Sequence, residues 1–145
     1  MVPTMTALRT ALRMRLVGDP ALVVLLGGPA VFHRFVRMAV QVPSVTYMDT
    51  AFHPYEQLPR VEASFTLDVW AHDLDAAEAI AARVATLLDQ TASAEAGLAP
   101  MPTPGLNVCA LHLASQRDTI EPDPTIVRKT LQFNVLAFDL VAAVA

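Results

Sequence analysis

Four histidines (His33, His53, His72 and His112) and one cysteine, Cys109, are the soft side chains with which this chain would hold a transition metal. None of them pairs at HxxxH, CxxC or a similar metal-binding spacing. Cys109 and His112 lie three apart in a stretch with strand character, which sends them to opposite faces of a sheet. The same alternation groups Cys109 with Leu111 and Leu113, as a small core residue. A second constellation is Asp68, Trp70 and His72, spaced by two along one face of a strand. A carboxylate, an aromatic ring and an imidazole in line are the materials of an acid–base wall. The competing reading is a strand surface turned to solvent or to another subunit, with Trp70 as the anchor. No nucleophile accompanies the three. Ser64 and Ser115 sit in no nucleophile-elbow context, and the chain has no GxGxxG, Walker or EF-hand pattern. Gly27 and Gly28 read as a helix stop. The residues thus predict no catalytic group, no metal and no cofactor, and they favour an interface.

The elements that would carry these side chains are legible from their periods. "TMTALRTALRMRLVG" spaces Leu8, Ala11, Leu12, Arg15 and Leu16 as a helix, with Thr4 or Thr6 as cap and Gly18 as stop. Arg9, Arg13 and Arg15 on it read as a solvated basic face. "DPALVVLLGGP" predicts a short helix with Asp19 as N-cap, Pro20 in the first turn and a glycine terminator before Pro29. Its body is apolar nearly all round, so it must be buried in the domain or against a neighbour. "AVFHRFVRM" and "VPSVTYMD" have strand composition, with Pro43 opening the second. "DTAFHPYEQLP", with Pro54 and Pro59, reads as a loop of residues 49–59.

Residues 61–72 alternate strictly. Val61, Ala63, Phe65, Leu67, Val69 and Ala71 point one way, and the polar partners, Asp68, Trp70 and His72 among them, point the other. Asp75 and Glu78 form a capping box for a helix whose inward stripe is Ala77, Ile80, Ala81, Val84, Leu87 and Leu88. "TASAEAGLAPMPTPG" has no period and reads as loop. "LNVCALHLAS" and "IVRKTLQFNVLAFDLV" are the last two strands, joined by the charged turn "QRDTIEPDPT". Leu136, Phe138 and Leu140 make the end of the last strand apolar on both faces. The predicted order is ααβββαββ: one α+β domain over residues 1–145, with helices on one face of a largely antiparallel sheet of four to five strands.

Composition narrows the class. The chain has 145 residues, 54% of them hydrophobic and 17% charged, with a mean hydropathy of +0.43. The longest apolar runs are too short to span a bilayer, so the excess predicts a subunit that hides apolar surface against partners. A net charge of −4 argues against direct nucleic-acid binding. The single cysteine excludes an internal disulfide and suits a reducing compartment. The N-terminus lacks the apolar core of a secretory signal.

The succession of elements resembles the tail terminator (tail completion) family of long-tailed bacteriophages, prophages and gene transfer agents. The resemblance spans nearly the whole chain and is carried by pattern rather than invariant residues. Its sharpest parts are Asp19 to Gly27, Pro43 with Val45 to Tyr47, Val69 and Trp70, Ala76 and Ala77, and Leu87 and Leu88. It implies a structural virion protein, not an enzyme. Copies would form a ring, a hexamer, that caps the tail tube, ends its polymerisation and joins it to the head connector. The partners implied are the tail tube protein and the head–tail connector protein, with DNA passing unread through the lumen and no membrane. Such a protein is assembled in the host cytoplasm and resides at the head–tail junction of the virion. On this reading Asp68, Trp70, His72, Phe52, Tyr55 and Arg128 are the candidate contacts with neighbouring subunits or the tube, together with the loops at 49–60 and 92–105. Two alternatives stay open: a head–tail connector or neck protein, attached on the portal side, and a small α+β oligomeric enzyme or ligand-binding protein that uses the Asp68/Trp70/His72 face.

Overall fold

The computed structural model describes residues 4–33, 42–54 and 60–139. In chain order it contains α1 (Thr4–Val17), α2 (Pro20–Leu26), β1 (Val31–His33), β2 (Ser44–Pro54), β3 (Arg60–Ala71), α3 (Leu74–Leu88), α4 (Gln90–Glu95), β4 (Leu106–Ile120) and β5 (Val127–Asp139). The strictly alternating stretch becomes β3, the centre of a five-stranded sheet of order β1-β2-β3-β5-β4. Its six apolar positions, Val61 to Ala71, are all buried under the helices, and the residues between them are only partly covered. β2, β3, β5 and β4 pair antiparallel, as their hairpin connections allow. β1 runs parallel to β2, with Val31 opposite Val45 and His33 opposite Tyr47. The α+β class holds, and the sheet is mixed rather than antiparallel throughout. The remainder of the strand expected at "AVFHRFVRM", beyond His33, lies outside the described residues.

Three stretches expected as loop or turn are regular structure. Residues 49–54 continue β2 past a register slip between Asp49 and Ala51. Among the described residues β1 accompanies β2 only as far as Tyr47, so none of them needs the N–H that Pro54 lacks. Residues 116–120 continue β4, with Asp118 opposite Lys129 and their side chains 3.1 Å apart. This polar end of an edge strand has no apolar layer to face, hence no hydrophobic period to read. Residues 90–95 form α4, a helix too short to show a period and defined by its cap, Asp89, which accepts from the Ala92 N–H at 3.1 Å.

Asp89 also ends α3, and its other oxygen accepts from the Leu113 N–H on the outer edge of β4 at 2.9 Å. Next to it the Gln90 carboxamide donates to the Val108 carbonyl and accepts from the Leu111 N–H, both at 3.2 Å. Together they satisfy part of an edge that would otherwise invite pairing. Between those two contacts lies a bulge at Cys109. It reverses the inside–outside order of the strand: Leu106 and Val108 pack inward before it, Leu111 and Leu113 after it. Cys109 is therefore exposed rather than a core residue, and strict alternation no longer separates it from His112, which is exposed too.

The helices cover one face. The α3 stripe is buried as its period predicts. Its cap is Asp73, not the Asp75/Glu78 box: the Asp73 carboxylate accepts from the Ala76 N–H at 2.7 Å. β3 ends at Ala71, so the chain is still extended at Asp73, where an N-cap must be, and Asp75 already lies inside the first turn. α1 begins at Thr4, which puts Thr6 inside the helix. It buries Met5, Leu8, Ala11, Leu12 and Leu16. Its arginines are not a uniform solvated face. Arg9 pairs with Asp49 at 2.9 Å, Arg15 reaches the Leu87 carbonyl and the Ser93 hydroxyl at 3.1 Å each, and only Arg13 is exposed. α2 has the predicted form: Asp19 accepts from the Leu22 N–H at 2.9 Å, Pro20 opens it, and Gly27 closes it at φ 72°.

Candidate functional site

The sheet face opposite the helices carries the predicted constellation. In the register, Trp70 stands between Ser44 and Arg128, and Asp68 between Thr46 and Thr130. The Trp70 indole N–H donates to the Thr46 hydroxyl at 3.0 Å. The Arg128 guanidinium lies over the indole, 5.1 Å from the ring centroid, a cation–π contact. Arg128 Nε is 3.1 Å from a Glu121 carboxylate oxygen and 4.0 Å from Asp68 Oδ1. The Thr130 hydroxyl donates to Asp68 Oδ1 at 2.6 Å. One cation thus lies near two carboxylates, and Thr46, Asp68, Trp70, Arg128 and Thr130 tie neighbouring strands together. His72 has left the strand. It lies in a bend after β3, with Nδ1 3.4 Å from the Thr125 carbonyl. Asp68 and Trp70 therefore share Arg128, whereas His72 stands apart from them at the Thr125 carbonyl.

Of the other expected contact residues, Arg128 belongs to this cluster, and Phe52 lies in β2 opposite Ala63. Tyr55 lies outside the described residues. Thr46, Thr130 and Glu121 complete the cluster without any signal in linear spacing, because strand register alone makes them neighbours. Further along the same face, Ser64, Asn134, Ala110 and His112 border a shallow open depression. Among the described residues no group of three His, Cys, Asp or Glu side chains is placed to hold a metal ion, and no helix is long and apolar enough to cross a membrane.

The helical side offers different surfaces. Asp19 is locked by Arg83, whose Nε and an Nη donate to its two oxygens at 2.8 and 2.7 Å. The guanidinium, with the Leu22 N–H, overcomes the effect of burial and holds the Asp19 carboxyl below its ordinary pKa. At Asp89 burial pushes the pKa up, but the Leu113 and Ala92 N–H groups and nearby His112 outweigh it, and the net shift is again downward. α2 is thereby fixed to α3, yet Val24 is 79% exposed and Leu25 41%. A groove of about 690 Å³ runs along the outer side of α1, between the helix and Pro102 and Pro104.

The model of the family described as tail completion protein gp17 matches residues 10–137, most of the chain. Among solved structures, a chain of the virion of a native gene transfer agent particle superposes with a TM-score of 0.75 at 18% identity, over 95% of this chain and 99% of that one. That likeness shows a shared fold. No curated protein matches. With the family model reaching from within α1 to near the end of β5, the chain belongs to the tail completion protein gp17 family and is a structural protein of the phage-type virion tail.

Proposed function

We propose that copies of this chain, each folded as one domain, close into a ring of six that caps the finished tail tube, stops its polymerisation and joins it to the head connector. The observation that carries this reading is the family match over residues 10–137. The fold shared end to end with a chain of a gene transfer agent virion supports it. So does the surface: Met14, Val24, Leu25 and Leu74 are large apolar side chains left exposed on one subunit, as a protomer that is completed by neighbours would leave them. The Asp68, Trp70 and Arg128 cluster, with His72 in the bend after β3, makes the contact with the tube or an adjoining subunit, and Phe52 and Tyr55 are further contact residues on this reading. Its aromatic and arginine content suits an anchor. DNA passes through the lumen unread, and a net charge of −4 per subunit disfavours a phosphate grip. This role requires no reaction, metal or cofactor.

Native mass measurement with negative-stain imaging of tail tubes mixed with the purified protein tests the proposal. A closed ring at one tube end, and tubes that stop lengthening once it is present, are the expected result. Tails from particles lacking the gene should be overlong and headless. A protein that stays monomeric with its cognate tube and connector overturns the reading.

A further inference from the structure

The sides by which such subunits would meet are also marked, and the following rests on the ring reading. We infer that each subunit seats the tip of its α2, Val24 and Leu25, in the groove on the outer face of α1 of the next copy. A ring of identical subunits needs two different, mutually complementary surfaces on each, and the helical layer has both. The projecting one is α2. Its sequence is apolar throughout, but one copy buries only Leu22 and Leu26. Asp19, Arg83 and the Gly27 terminator hold it rigid, so little freedom is lost when its tip is covered. The receiving surface is the α1 stripe at Thr6, Thr10, Met14 and Gly18, four residues apart, walled by Pro102 and Pro104. Small side chains leave the groove open, and the thioether of Met14, 65% exposed, can adapt to an apolar guest.

Of the four large apolar side chains exposed among the described residues, three belong to this tip and groove. Exposed charges on α1 and on α3, the helix that supports α2, are of opposite sign. Arg13, next to Met14 on α1, is exposed and makes no ion pair among the described residues. Asp75 and Glu78, on the helix against which α2 packs, are likewise exposed and unpaired there. A second copy answers both the apolar and the charged features.

Cysteine cross-linking on capped tail tubes tests this. In a Cys109→Ser background, Met14→Cys combined with Val24→Cys should, on oxidation, give a ladder of covalent oligomers that stops at the ring, whereas Val24→Cys alone should give no ladder. Separately, Val24→Asp, a change at an exposed position, should raise the concentration needed for ring assembly at least about tenfold with an unchanged far-UV spectrum. Rings visible by microscopy without a ladder, or a Val24→Asp protein that assembles like the parent, overturn this contact and leave the ring standing. Rings that form normally from Val24→Asp but fail to bind tubes assign the tip to the tube protein instead, which also overturns it. Tubes without any ring remove both readings together.

Discussion

Asp19 concentrates several roles in one carboxylate: it caps α2, binds the Leu22 N–H and grips both arms of Arg83. With its side chain 10% exposed and Arg83 28% exposed, the pair is sheltered enough to count for more than a surface bridge. Asp19→Ala should therefore lower unfolding free energy by about 1–2 kcal/mol in urea titration. Arg83→Ala should cost less, and the double variant less than the sum, since both remove the same contact. The acid limb of stability has a definite sign. The folded-state pKa values of Asp19 and Asp89 are depressed, so their contribution is complete above the ordinary aspartate value and is lost as pH falls through the folded values. The urea midpoint should hold near neutrality and drop below about pH 4. Asp89→Asn should flatten that drop while lowering the plateau, because an amide nitrogen would face either the Ala92 or the Leu113 N–H where an oxygen now accepts.

At the level of elements, the sheet core and the helix stop make separable predictions. Phe65 and Phe133 face each other across β3 and β5, both essentially inaccessible. Phe65→Ala leaves a void in the centre of the molecule and should cost about 3–5 kcal/mol by denaturant unfolding. Gly27 closes α2 at φ 72°, and a Cβ there would meet nothing within 4 Å. Gly27→Ala should thus cost only the left-handed backbone penalty, about 1–2 kcal/mol, without a packing defect. On the open face, Trp70→Phe keeps a ring under Arg128 but loses the donor to Thr46, and should cost about 1 kcal/mol. If the cluster anchors the tube, Trp70→Ala should weaken tube binding well beyond Trp70→Phe, a comparison that separates docking from bracing. Equal binding by the two would confine Trp70 to the brace.

At the level of the whole molecule, covered and uncovered surfaces divide cleanly. The helices shield one side of the sheet and leave the other to cross-strand polar contacts, and the helical layer keeps apolar surface that one copy does not bury. An excess of hydrophobic residues over what a single core of this size uses is thereby accounted for in three dimensions. Among the described residues the large exposed apolar side chains lie on the helices: Met14 on α1, Val24 and Leu25 on α2, and Leu74 on α3. The ring proposal gives that distribution a purpose, and a ring-deficient Val24→Asp protein should be a folded monomer with near-parental stability, measurable by sedimentation and thermal unfolding together.

Wherever a segment has one face against the core, its period is written in the residue types, and the chain alone determined it: the alternation of β3, the stripe of α3, the caps of α2 and the α+β class. The family resemblance lay in the same patterned stretches. Tertiary structure decided what has no local period. The strand pairing brought Thr46 of β2, Arg128 and Thr130 of β5, and Glu121 just after β4 around Asp68 and Trp70 of β3. It extended β2 and β4 into polar sequence and turned Cys109 outward through a bulge. The physical reason is that hydrophobic burial imposes a period on the residues it acts upon, whereas register, bulges and long-range ion pairs arise only when distant strands are laid side by side.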